Sequence, residues 1–433
     1  MKLVGRLSNF VAGFFAQAWR HRGAISRVSL LGYATMALVF ILQIIIARML
    51  GVQLYGVYAT NLAVVSIAEI PIVVRSGELA MRAMRPYPGN PAPSYGSLSR
   101  WLMRRDVWPF IGAYFVVAGA GWAFGSRLNL DPLLLSLLAL TIPAQIGYGA
   151  YKSLFFVHNQ MPRLGRTELA YALALTVLSL IGLLTAGIYG LAAGSAVAAL
   201  AKTVLTRNGS RQFPQTEGEL TAPPRLDLSR DSAYSIARNA LANGLTQIDV
   251  ILLSQAQSPE AVALYKVGKS LTSVPIKLAF PLWRMLQPQI MAAIRADDRR
   301  LERRAVMTGT LGFSLLMVVV VPLALLFGED LIAFAYGAPF RGAFVYFLIL
   351  MVGAWLFNGV AGWFSFWCVV GKSQVFGIVV YAAAFLLVLA GGLLWGLASP
   401  KHMAYVVSAS LVVAAALAYL FLYSQLRSRS EDL

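Results

Sequence analysis

The sequence has few of the residues that soluble enzymes and secreted domains depend on. Its 433 residues include one cysteine, three histidines and only 12% charged residues, about half of the charged share of a typical soluble domain. The single cysteine, Cys368, excludes an intrachain disulfide. The histidines are scattered and have no metal-ligand spacing, and no Walker loop or G-x-S-x-G motif is present. These absences favour a protein that is not an enzyme.

What the sequence has instead is long apolar segments. Hydrophobic residues make up 58% of the chain, and its mean hydropathy is +0.69. The apolar runs are about 20 residues long, enough for a helix to cross a hydrocarbon core of ~30 Å, and the alternation of a transmembrane barrel is missing. We therefore predict an all-α polytopic membrane protein with about twelve transmembrane helices. The predicted spans are 26–50, 54–75, 107–125, 132–157, 167–187, 189–206, 232–255, 259–282, 305–327, 341–369, 374–397 and 402–424.

The net charge of +18 is distributed unevenly between the loops that these spans define. If the N-terminus lies inside, the outside segments hold only four basic residues, three lysines lie within a span, and all the other basic residues are inside. The outside residues are Arg48, Arg127, Arg341 and Lys401. Basic residues accumulate in cytoplasmic loops of membrane proteins. The charge therefore indicates orientation rather than nucleic-acid binding, and predicts two cytoplasmic termini in a bacterial inner membrane.

The predicted spans divide the chain into two lobes of six helices. A proline-containing and polar segment separates spans six and seven, which is typical of a solvated linker. Residues 1–25 resemble a signal peptide at first sight, but the apolar stretch is short and basic residues follow it, so we favour an interfacial amphipathic helix. The predicted regions are the N-terminal segment 1–25, N-lobe 26–206, cytoplasmic linker 207–231, C-lobe 232–425 and cytoplasmic tail 426–433.

Span eight carries a polar stripe. At 100° per residue, Lys266, Ser270, Ser273 and Lys277 share one side of the helix. Lys269 lies beside this stripe, and Arg284 continues it at the inside end. Charged groups within a span usually face a hydrated cavity or the interior of a helix bundle. We predict that these residues form a cationic cavity wall. The alternative is snorkelling combined with salt bridges between helices.

Span seven is polar but carries less charge. Asn239, Asn243 and Gln247 lie on or near one side, and such amides hydrogen-bond either sugar hydroxyls or neighbouring helices. Arg238, at the margin of this side, is predicted to contribute to the cationic wall. Asp249 has two interpretations: it neutralises a lysine of span eight, or it binds a coupling cation or proton.

In the first half, Tyr58, Asn61 and Glu69 lie on one side of span two. We predict that Tyr58 and Asn61 contribute polar wall to the cavity, and that Glu69 is a second candidate for ion coupling. Lys152, Glu168 and Lys202 lie near inside span ends, where snorkelling is the simpler interpretation. No metal site or cofactor is predicted, apart from Na⁺ or H⁺ as a coupling ion.

A cationic cavity with polar walls suits an anionic substrate attached to sugar. Lysine and arginine bind the concentrated negative charge of a pyrophosphate, while Asn, Gln, Ser and Tyr hydrogen-bond sugar hydroxyls. A polyprenyl tail can remain in the bilayer through a gap between helices. A small-cation exporter would favour acidic residues instead, and an integral-membrane ligase or polymerase generally needs a sizeable outside loop bearing Arg and His.

Three short segments resemble the polysaccharide-biosynthesis flippases of the multidrug/oligosaccharidyl-lipid/polysaccharide (MOP) exporter superfamily. The first joins spans one and two, with Arg-Met-Leu-Gly ending at Gly51 and Tyr-Gly-Val-Tyr ending at Tyr58. The second runs from Gln247 through Asp249 to Ala263-Leu-Tyr265, and the third is Tyr-Gly-Ala-Pro-Phe, ending at Phe340. Ala263 stands where that family commonly has glycine.

This resemblance implies two six-helix lobes in a V shape and alternating access. The implied function is translocation of polyprenyl-pyrophosphate-linked oligosaccharide from the cytoplasmic to the periplasmic leaflet, for exopolysaccharide, capsule or O-antigen assembly. The implied partners are the lipid-linked glycan, membrane lipids and polysaccharide polymerase or export machinery, with no nucleic acid. The alternatives are a peptidoglycan-precursor flippase, a small-molecule exporter of the same superfamily and, from another class, a glycan ligase or polymerase.

Overall fold

The computed structural model describes residues 22–83, 95–126, 128–157, 160–211, 228–279, 299–370 and 374–428. Throughout these ranges the chain is helical, with short turns and no strand. The helices are α1 Arg22–Ala83, α2 Tyr95–Phe124, α3 Pro132–Ala139, α4 Thr141–Ala144, α5 Tyr148–Val157, α6 Met161–Ser210, α7 Leu228–Ala256, α8 Pro259–Leu278, α9 Arg299–Tyr336, α10 Ala343–Val370, α11 Gln374–Leu394 and α12 Pro400–Ser428. Two short 3₁₀ turns, Ala338–Phe340 and Gly396–Ala398, precede α10 and α12.

Two of the helices bend sharply at glycine. In α1 the backbone leaves the helical region at Gly51, with φ 70° and ψ 175°. In α6 it leaves at Ala186 and Gly187, the latter with φ 59°. A positive φ is easily reached only by glycine, because an L side chain would clash with the backbone. The bend at Gly51 falls between predicted spans one and two, and the bend at Gly187 falls on the last residue of predicted span five, so each long helix is divided at or next to a predicted turn.

The segment Pro132–Phe155 is a broken helix. Its two parts, Pro132–Ala144 and Tyr148–Phe155, are inclined at 45° to each other. Gly147 between them has φ 81°. The first part begins with Asp131 as a helix cap, since its carboxylate accepts the backbone N–H of Leu134 at 2.9 Å.

Six helices are long and apolar enough to cross a membrane, or seven if the broken helix is one span. They are Leu30–Glu69, Asp106–Phe124, Met161–Ser210, Arg304–Tyr336, Val375–Leu394 and Pro400–Phe421. The protein is thus an all-helical, multi-pass membrane protein. Helices α7 and α8 are not in this set, because they carry the polar residues singled out above. Such helices are stable in a bilayer only when neighbouring helices or water cover their polar groups.

The two halves of the chain pack through α1, which contacts α7 and α8 extensively as well as α5 and α6 of its own half. One buried apolar cluster lies mainly in the second half and includes Ala63 of α1. The other lies mainly in the first half but includes Val267 of α8 and Phe340. The two cores therefore interlock at the seam between α1 and α7–α8.

Small residues allow the close approach at this seam. A Cβ added to Gly56 of α1 would lie 1.9 Å from the carbonyl oxygen of Pro259, at the start of α8. Within the second half, a Cβ at Gly268 of α8 would lie 2.6 Å from the carbonyl oxygen of Ala343 of α10. Both distances are far below van der Waals contact, so only glycine fits at either position.

Several helices extend beyond the predicted span edges, where a membrane-spanning helix continues into the adjoining loop. Helix α1 extends to Ala83, beyond the predicted edge of span two, because no proline follows Pro71 until Pro86. Helix α6 continues to Ser210, and α7 begins at Leu228, within the predicted linker. Most of the predicted N-terminal segment, residues 1–21, and residues 429–433 of the tail lie outside the described residues.

Candidate functional site

A buried carboxylate joins α7 to α8. The side chain of Asp249 is 0% exposed, and its Oδ2 lies 2.5 Å from the ammonium nitrogen of Lys269. The hydroxyl of Tyr265 donates to the same oxygen, and the backbone N–H of Val250 donates to Oδ1 at 2.9 Å. A buried charge is tolerated when it is paired and hydrogen-bonded in this way. The sequence leaves two interpretations of Asp249 open. In this structure Asp249 neutralises Lys269, a lysine of span eight.

The polar stripe of α8 continues on either side of this ion pair. Lys266 donates to the side-chain oxygen of Gln247 on α7 at 2.9 Å. Ser273 donates to the carbonyl of Ser270 at 2.6 Å, within the helix itself. Lys277 is half-buried, and within the described residues it has no acidic partner at salt-bridge distance. Beside the stripe, Lys269 is neutralised by Asp249, whereas neither lysine of the stripe forms a salt bridge within the part of the chain that the structure describes.

The amides of α7 make contacts of two kinds. Asn243 crosses the seam, because its side-chain nitrogen donates to the carbonyl of Ser66 on α1 at 2.5 Å. Asn239 donates to the carbonyl of Ser235 on its own helix at 2.8 Å. Arg238, predicted for the cationic wall, is 4% exposed and so lies within the protein rather than on its surface. Of the three amides, Asn243 and Gln247 bond neighbouring helices, which is one of the two roles that the sequence leaves open.

Tyr58 and Asn61 are buried in α1, at 8% and 0% exposure. Asn61 donates to the carbonyl of Val57 at 2.9 Å. Its side-chain oxygen is buried and has no hydrogen-bond donor among the described residues. Tyr58 packs 6.4 Å from the ring of Tyr55, and Tyr55 in turn meets Phe340 edge-on at 6.0 Å. Two of the three family-like segments thus meet in space.

Glu69 belongs to a separate polar network in the first half. Its carboxylate accepts from the hydroxyl of Thr141 at 2.9 Å and from the side-chain amide of Gln145. The oxygen of that amide accepts from the ammonium of Lys202 at 3.1 Å. Gln145 therefore connects a carboxylate with an ammonium that does not touch it directly. This network lies at the break between α4 and α5, where the broken helix exposes backbone groups.

Two tyrosines surround Lys202 in this network. Its ammonium lies 4.0 Å from the ring centroid of Tyr148 and 4.9 Å from that of Tyr171, within the range of cation–π attraction. Nearby, Lys152 pairs with Glu168 at 2.9 Å. Lys152, Lys202 and Glu168 therefore contact other side chains of the protein, whereas their positions near span ends predict snorkelling toward the membrane surface.

A cavity of about 550 Å³, here called the seam pocket, lies between the two halves at the α7–α8 turn. Across its floor the halves exchange hydrogen bonds: Asn129 donates to the carbonyl of Ser254 at 2.8 Å, and Gln255 donates to the carbonyl of Leu128 at 2.9 Å. The seam pocket is lined by Gly56, Val57, Thr60, Asn129, Leu130, Asp131, Pro132, Ser254, Gln257, Pro259 and Val262.

A larger apolar cavity of about 920 Å³, here called the apolar groove, lies between α1, α8 and α9. From α8 it is lined by Leu271, Val274, Pro275 and Leu278. At 100° per residue these residues lie on a different side of α8 from the polar stripe. Two hydrogen bonds from α1 reach its lining residues: Tyr33 donates to the carbonyl of Leu278 at 2.9 Å, and Arg48 donates to the carbonyl of Phe334.

The structure brings the predicted site residues together in part. Lys266, Lys269, Gln247 and Asp249 form one cluster on α7–α8, whereas Glu69 lies in the network of the first half. Neither of the two cavities is lined by a stripe lysine, and Arg284 lies outside the described residues. Sequence reasoning missed the roles of Thr141, Gln145, Tyr148 and Tyr171. Their signal is polar spacing: Thr141 and Gln145 lie four residues apart inside a predicted span.

The search for relatives gives matches in structure only. No protein-family model matches the sequence, and no curated protein matches it in sequence. The fold is that of MOP-type transporters. The lipid II flippase MurJ in an inward closed conformation matches with a TM-score of 0.68 and 11% identity, over 91% of this chain and 87% of MurJ. A mutant of the MATE transporter VcmN from Vibrio cholerae matches with a TM-score of 0.68 and 14% identity, over 97% and 98% of the two chains.

A third structure is a MOP superfamily transporter from Pyrococcus furiosus, whose binding pocket is described as having reverse polarity. It matches with a TM-score of 0.69 and 13% identity, over 93% of this chain and 95% of that one. Matches at this level of identity show the fold alone. The polar helices α7 and α8 and the kinked helix α1 lie at the seam between the two halves of the chain. Within the described residues no group of histidine, cysteine and acidic side chains could hold a metal ion.

Proposed function

We propose that this chain is a flippase that translocates polyprenyl-pyrophosphate-linked oligosaccharide across a bacterial inner membrane by alternating access, for assembly of a surface polysaccharide. The observation that carries this proposal is the two-sided character of α8. One side bears Lys266, Ser270 and Lys277, and another lines an apolar groove of about 920 Å³. An amphiphile with an anionic headgroup and a hydrocarbon tail matches both sides of this one helix.

The chemistry of the stripe indicates the charge of the substrate. Lys266 is half-buried against Gln247, a neutral partner, and Lys277 has no acidic partner among the described residues. A phosphate group offers an anionic acceptor, which neither ammonium group has among the described residues. A cationic drug would be repelled by them, which argues against the small-molecule exporter.

The apolar groove offers a path for the tail. It lies between α1, α8 and α9, and Tyr33 and Arg48 of α1 hydrogen-bond the backbone carbonyls of two of its lining residues. A polyprenyl chain in this groove would remain in contact with apolar side chains while its headgroup reached the stripe. No enzyme activity is part of the proposal.

Twelve spans with cytoplasmic termini belong to the same proposal. Leu30–Glu69 has 40 residues and Met161–Ser210 has 50, which at ~1.5 Å per residue is about twice the hydrocarbon thickness. With the bends at Gly51 and Gly187, each becomes two spans. Helix α2, the broken helix and the six helices from α7 onward supply the other eight, giving two lobes of six with the linker between them.

The coupling ion, if the transporter uses one, is assigned to Glu69. Its carboxylate accepts hydrogen bonds from the neutral groups of Thr141 and Gln145, whereas the carboxylate of Asp249 is already compensated by Lys269. Because its hydrogen-bond donors among the described residues are neutral, we propose this carboxylate as the group that binds H⁺ or Na⁺ in the transport cycle.

Reconstituted vesicles test the function directly. A fluorescent polyprenyl diphosphate is distributed over both leaflets, and a membrane-impermeant quencher bleaches the outer one. We expect the protein to make the whole probe accessible to the quencher, whereas a fluorescent phosphatidylcholine remains half protected. Equal rates for vesicles with and without protein would refute the proposal. Flipping of both lipids would indicate a non-specific scramblase.

The peptidoglycan-precursor flippase is the second candidate, favoured by the shared fold with MurJ. Rescue of growth separates the two: cells depleted of their own lipid II flippase should not be rescued by this chain if the substrate is a polysaccharide precursor. A glycan ligase or polymerase would instead produce longer or transferred glycan from the lipid-linked substrate in vitro, which we do not expect.

A further inference from the structure

The seam pocket is polar, but its polarity differs from that of the stripe. Its polar side chains are Thr60 from α1, Asn129 and Asp131 from the loop before α3, and Ser254 and Gln257 at the end of α7. None of the described residues that line it is a lysine or an arginine. A phosphate placed there would meet a carboxylate and no cation. The seam pocket is therefore unsuited to the anionic part of a substrate.

Two polar side chains that line the seam pocket, Gln257 and Asp131, have hydrogen-bonding groups left over. Gln257 donates one amide hydrogen to the carbonyl of Leu397 at 2.8 Å. Asp131 accepts from the N–H of Leu134 and from the hydroxyl of Tyr189, at 2.9 and 2.7 Å, which uses about half of its lone-pair sites. Amides and carboxylates with donors and acceptors to spare match hydroxyl groups, since each hydroxyl both donates and accepts.

The seam pocket also lies close to the stripe along α8. Val262, which lines the pocket, is four residues before Lys266, so the two lie on one side of the helix about 6 Å apart along its axis. A headgroup bound at Lys266 would therefore have its next covalent part near the α8 side of the seam pocket. The volume of about 550 Å³ falls within the ~300–1,000 Å³ of pockets that hold small organic ligands.

We infer that the seam pocket binds the uncharged, hydroxylated sugar part of the substrate while the stripe binds its diphosphate. This inference rests on the flippase function proposed above and adds a site to it. Along α8 the three parts of the substrate then have separate surfaces: the apolar groove for the tail, the stripe for the charge and the seam pocket for the sugar next to it. Thr60 and Gln257, which come from different halves of the chain, are the specificity-determining residues.

The test compares probes with and without sugar on the purified full-length protein. The probes are a polyprenyl diphosphate and its glucose, galactose and N-acetylglucosamine derivatives. We expect at least one sugar to tighten binding about tenfold, which corresponds to one or two net hydrogen bonds. In the double variant Thr60→Val with Gln257→Leu, the sugar should no longer tighten binding, so that probes with and without sugar have about the same Kd. The Kd of the sugar-free probe itself should change by less than about twofold.

Two further variants make the test specific. Val57→Phe fills the seam pocket without removing a polar group, and should also remove the sugar gain. Gln255→Leu is the matched control, because Gln255 is an amide two residues away that bonds Leu128 across the same seam but is not among the lining residues. It should keep the gain. All variants are first compared by thermal unfolding, so that a misfolded protein is recognised.

The outcomes separate this inference from the function itself. The inference is overturned if no sugar tightens binding to the wild type, if the gain survives in both pocket variants, or if Gln255→Leu loses it equally. In each of these cases binding of the sugar-free probe still supports the flippase. If the wild type binds none of the four probes, the proposed function fails, and the assignment of the seam pocket fails with it.

Discussion

Lys269 and Asp249 form an ion pair inside the protein, with 2.5 Å between the ammonium nitrogen and Oδ2 and side-chain exposures of 17% and 0%. The pair joins α8 to α7, and Tyr265 of α8 adds a hydroxyl to the same carboxylate oxygen. Lys269 therefore differs from the other two lysines of α8, since its charge has a structural partner. We therefore expect substitution of Lys269 to lower stability and substitution of Lys277, on the stripe, to slow transport.

The first prediction concerns stability. Lys269→Gln leaves the Asp249 carboxylate buried without its cation, so we expect a loss of about 2–4 kcal/mol of stability. The remaining hydrogen bonds from Tyr265 and Val250 keep the loss at the lower end. Thermal unfolding of the detergent-purified protein should show a midpoint several degrees lower.

The double variant Asp249→Asn with Lys269→Gln is the control for this prediction, because it removes both charges together. It should recover most of the lost midpoint, since no uncompensated charge remains. A double variant as unstable as Lys269→Gln alone would show that the pair does not stabilise the fold.

The second prediction concerns transport. Lys277 has no acidic partner among the described residues, so Lys277→Gln should leave the unfolding midpoint within about a degree. One charge-assisted hydrogen bond to a diphosphate is worth ~1.5–3 kcal/mol, and flipping of the fluorescent polyprenyl diphosphate should therefore fall at least tenfold. Lys277→Arg should retain most of the rate.

Lys401→Gln is the matched control for Lys277, because Lys401 is exposed at the start of α12 and lines neither cavity. It should flip the probe at the wild-type rate. An equal rate for Lys277→Gln and Lys401→Gln would remove Lys277 from the substrate path and would weaken the cationic-wall hypothesis.

The stripe and the network of the first half differ in how much the sequence reveals. Helical periodicity places Lys266, Ser270 and Lys277 on one side, because angular position depends only on local geometry. It does not say which helix lies opposite. The partner of Lys269 is twenty residues earlier in the chain, and the partner of Glu69 is across a broken helix whose bend at Gly147 has no periodic signal. Such contacts depend on tertiary packing, and one sequence read by itself does not contain them.

The helices themselves are more predictable than their contacts. Long apolar runs become helices because in lipid the backbone must satisfy its own hydrogen bonds. The all-helical, multi-pass prediction is confirmed for the described residues. The bends are also partly predictable from the sequence. Gly51 and Gly187 lie between runs of apolar residues, and glycine adopts a positive φ without strain. The two cavities could not be predicted from the sequence, because each is lined by segments that are far apart in the chain.

The third prediction concerns the seam. In Gly56→Val the new side chain would collide with the carbonyl oxygen of Pro259, which lies 1.9 Å from an added Cβ. The α7–α8 turn must then move away from α1, and we expect a loss of at least ~2 kcal/mol from overpacking. The unfolding midpoint should fall, and a cysteine introduced at Ser254 should react faster with a membrane-impermeant maleimide.

Gly112→Ala is the control for the seam variant, because Gly112 lies inside helix α2 and an added Cβ there would meet nothing within 4 Å. Alanine should stabilise this helix by about 0.5–1 kcal/mol. If Gly56→Val is as stable and as protected from the maleimide as Gly112→Ala, the close approach at the seam is not a feature of the protein in the membrane.

The fourth prediction concerns topology. Reporter fusions after Arg230, at the start of α7, should behave as cytoplasmic, and fusions after Ala398, just before α12, as periplasmic. The reason is the distribution of basic residues, since cytoplasmic loops carry most of them. Alkaline phosphatase is active only in the periplasm and green fluorescent protein only in the cytoplasm, so the two reporters should give opposite patterns. An alkaline-phosphatase-active fusion after Arg230 would invert or remove the proposed orientation.

The last prediction separates the two candidate coupling residues. Glu69 accepts hydrogen bonds only from neutral groups in the described network, whereas Asp249 is neutralised by Lys269. Glu69→Gln preserves the size of the side chain and removes its charge. We expect it to abolish the dependence of flipping on an imposed H⁺ or Na⁺ gradient while leaving a slower, gradient-independent rate. Asp249→Asn combined with Lys269→Gln should keep the gradient dependence, since it leaves Glu69 intact. If the gradient dependence disappears in that double variant and persists in Glu69→Gln, the coupling carboxylate is Asp249, and the ion pair with Lys269 must open during transport.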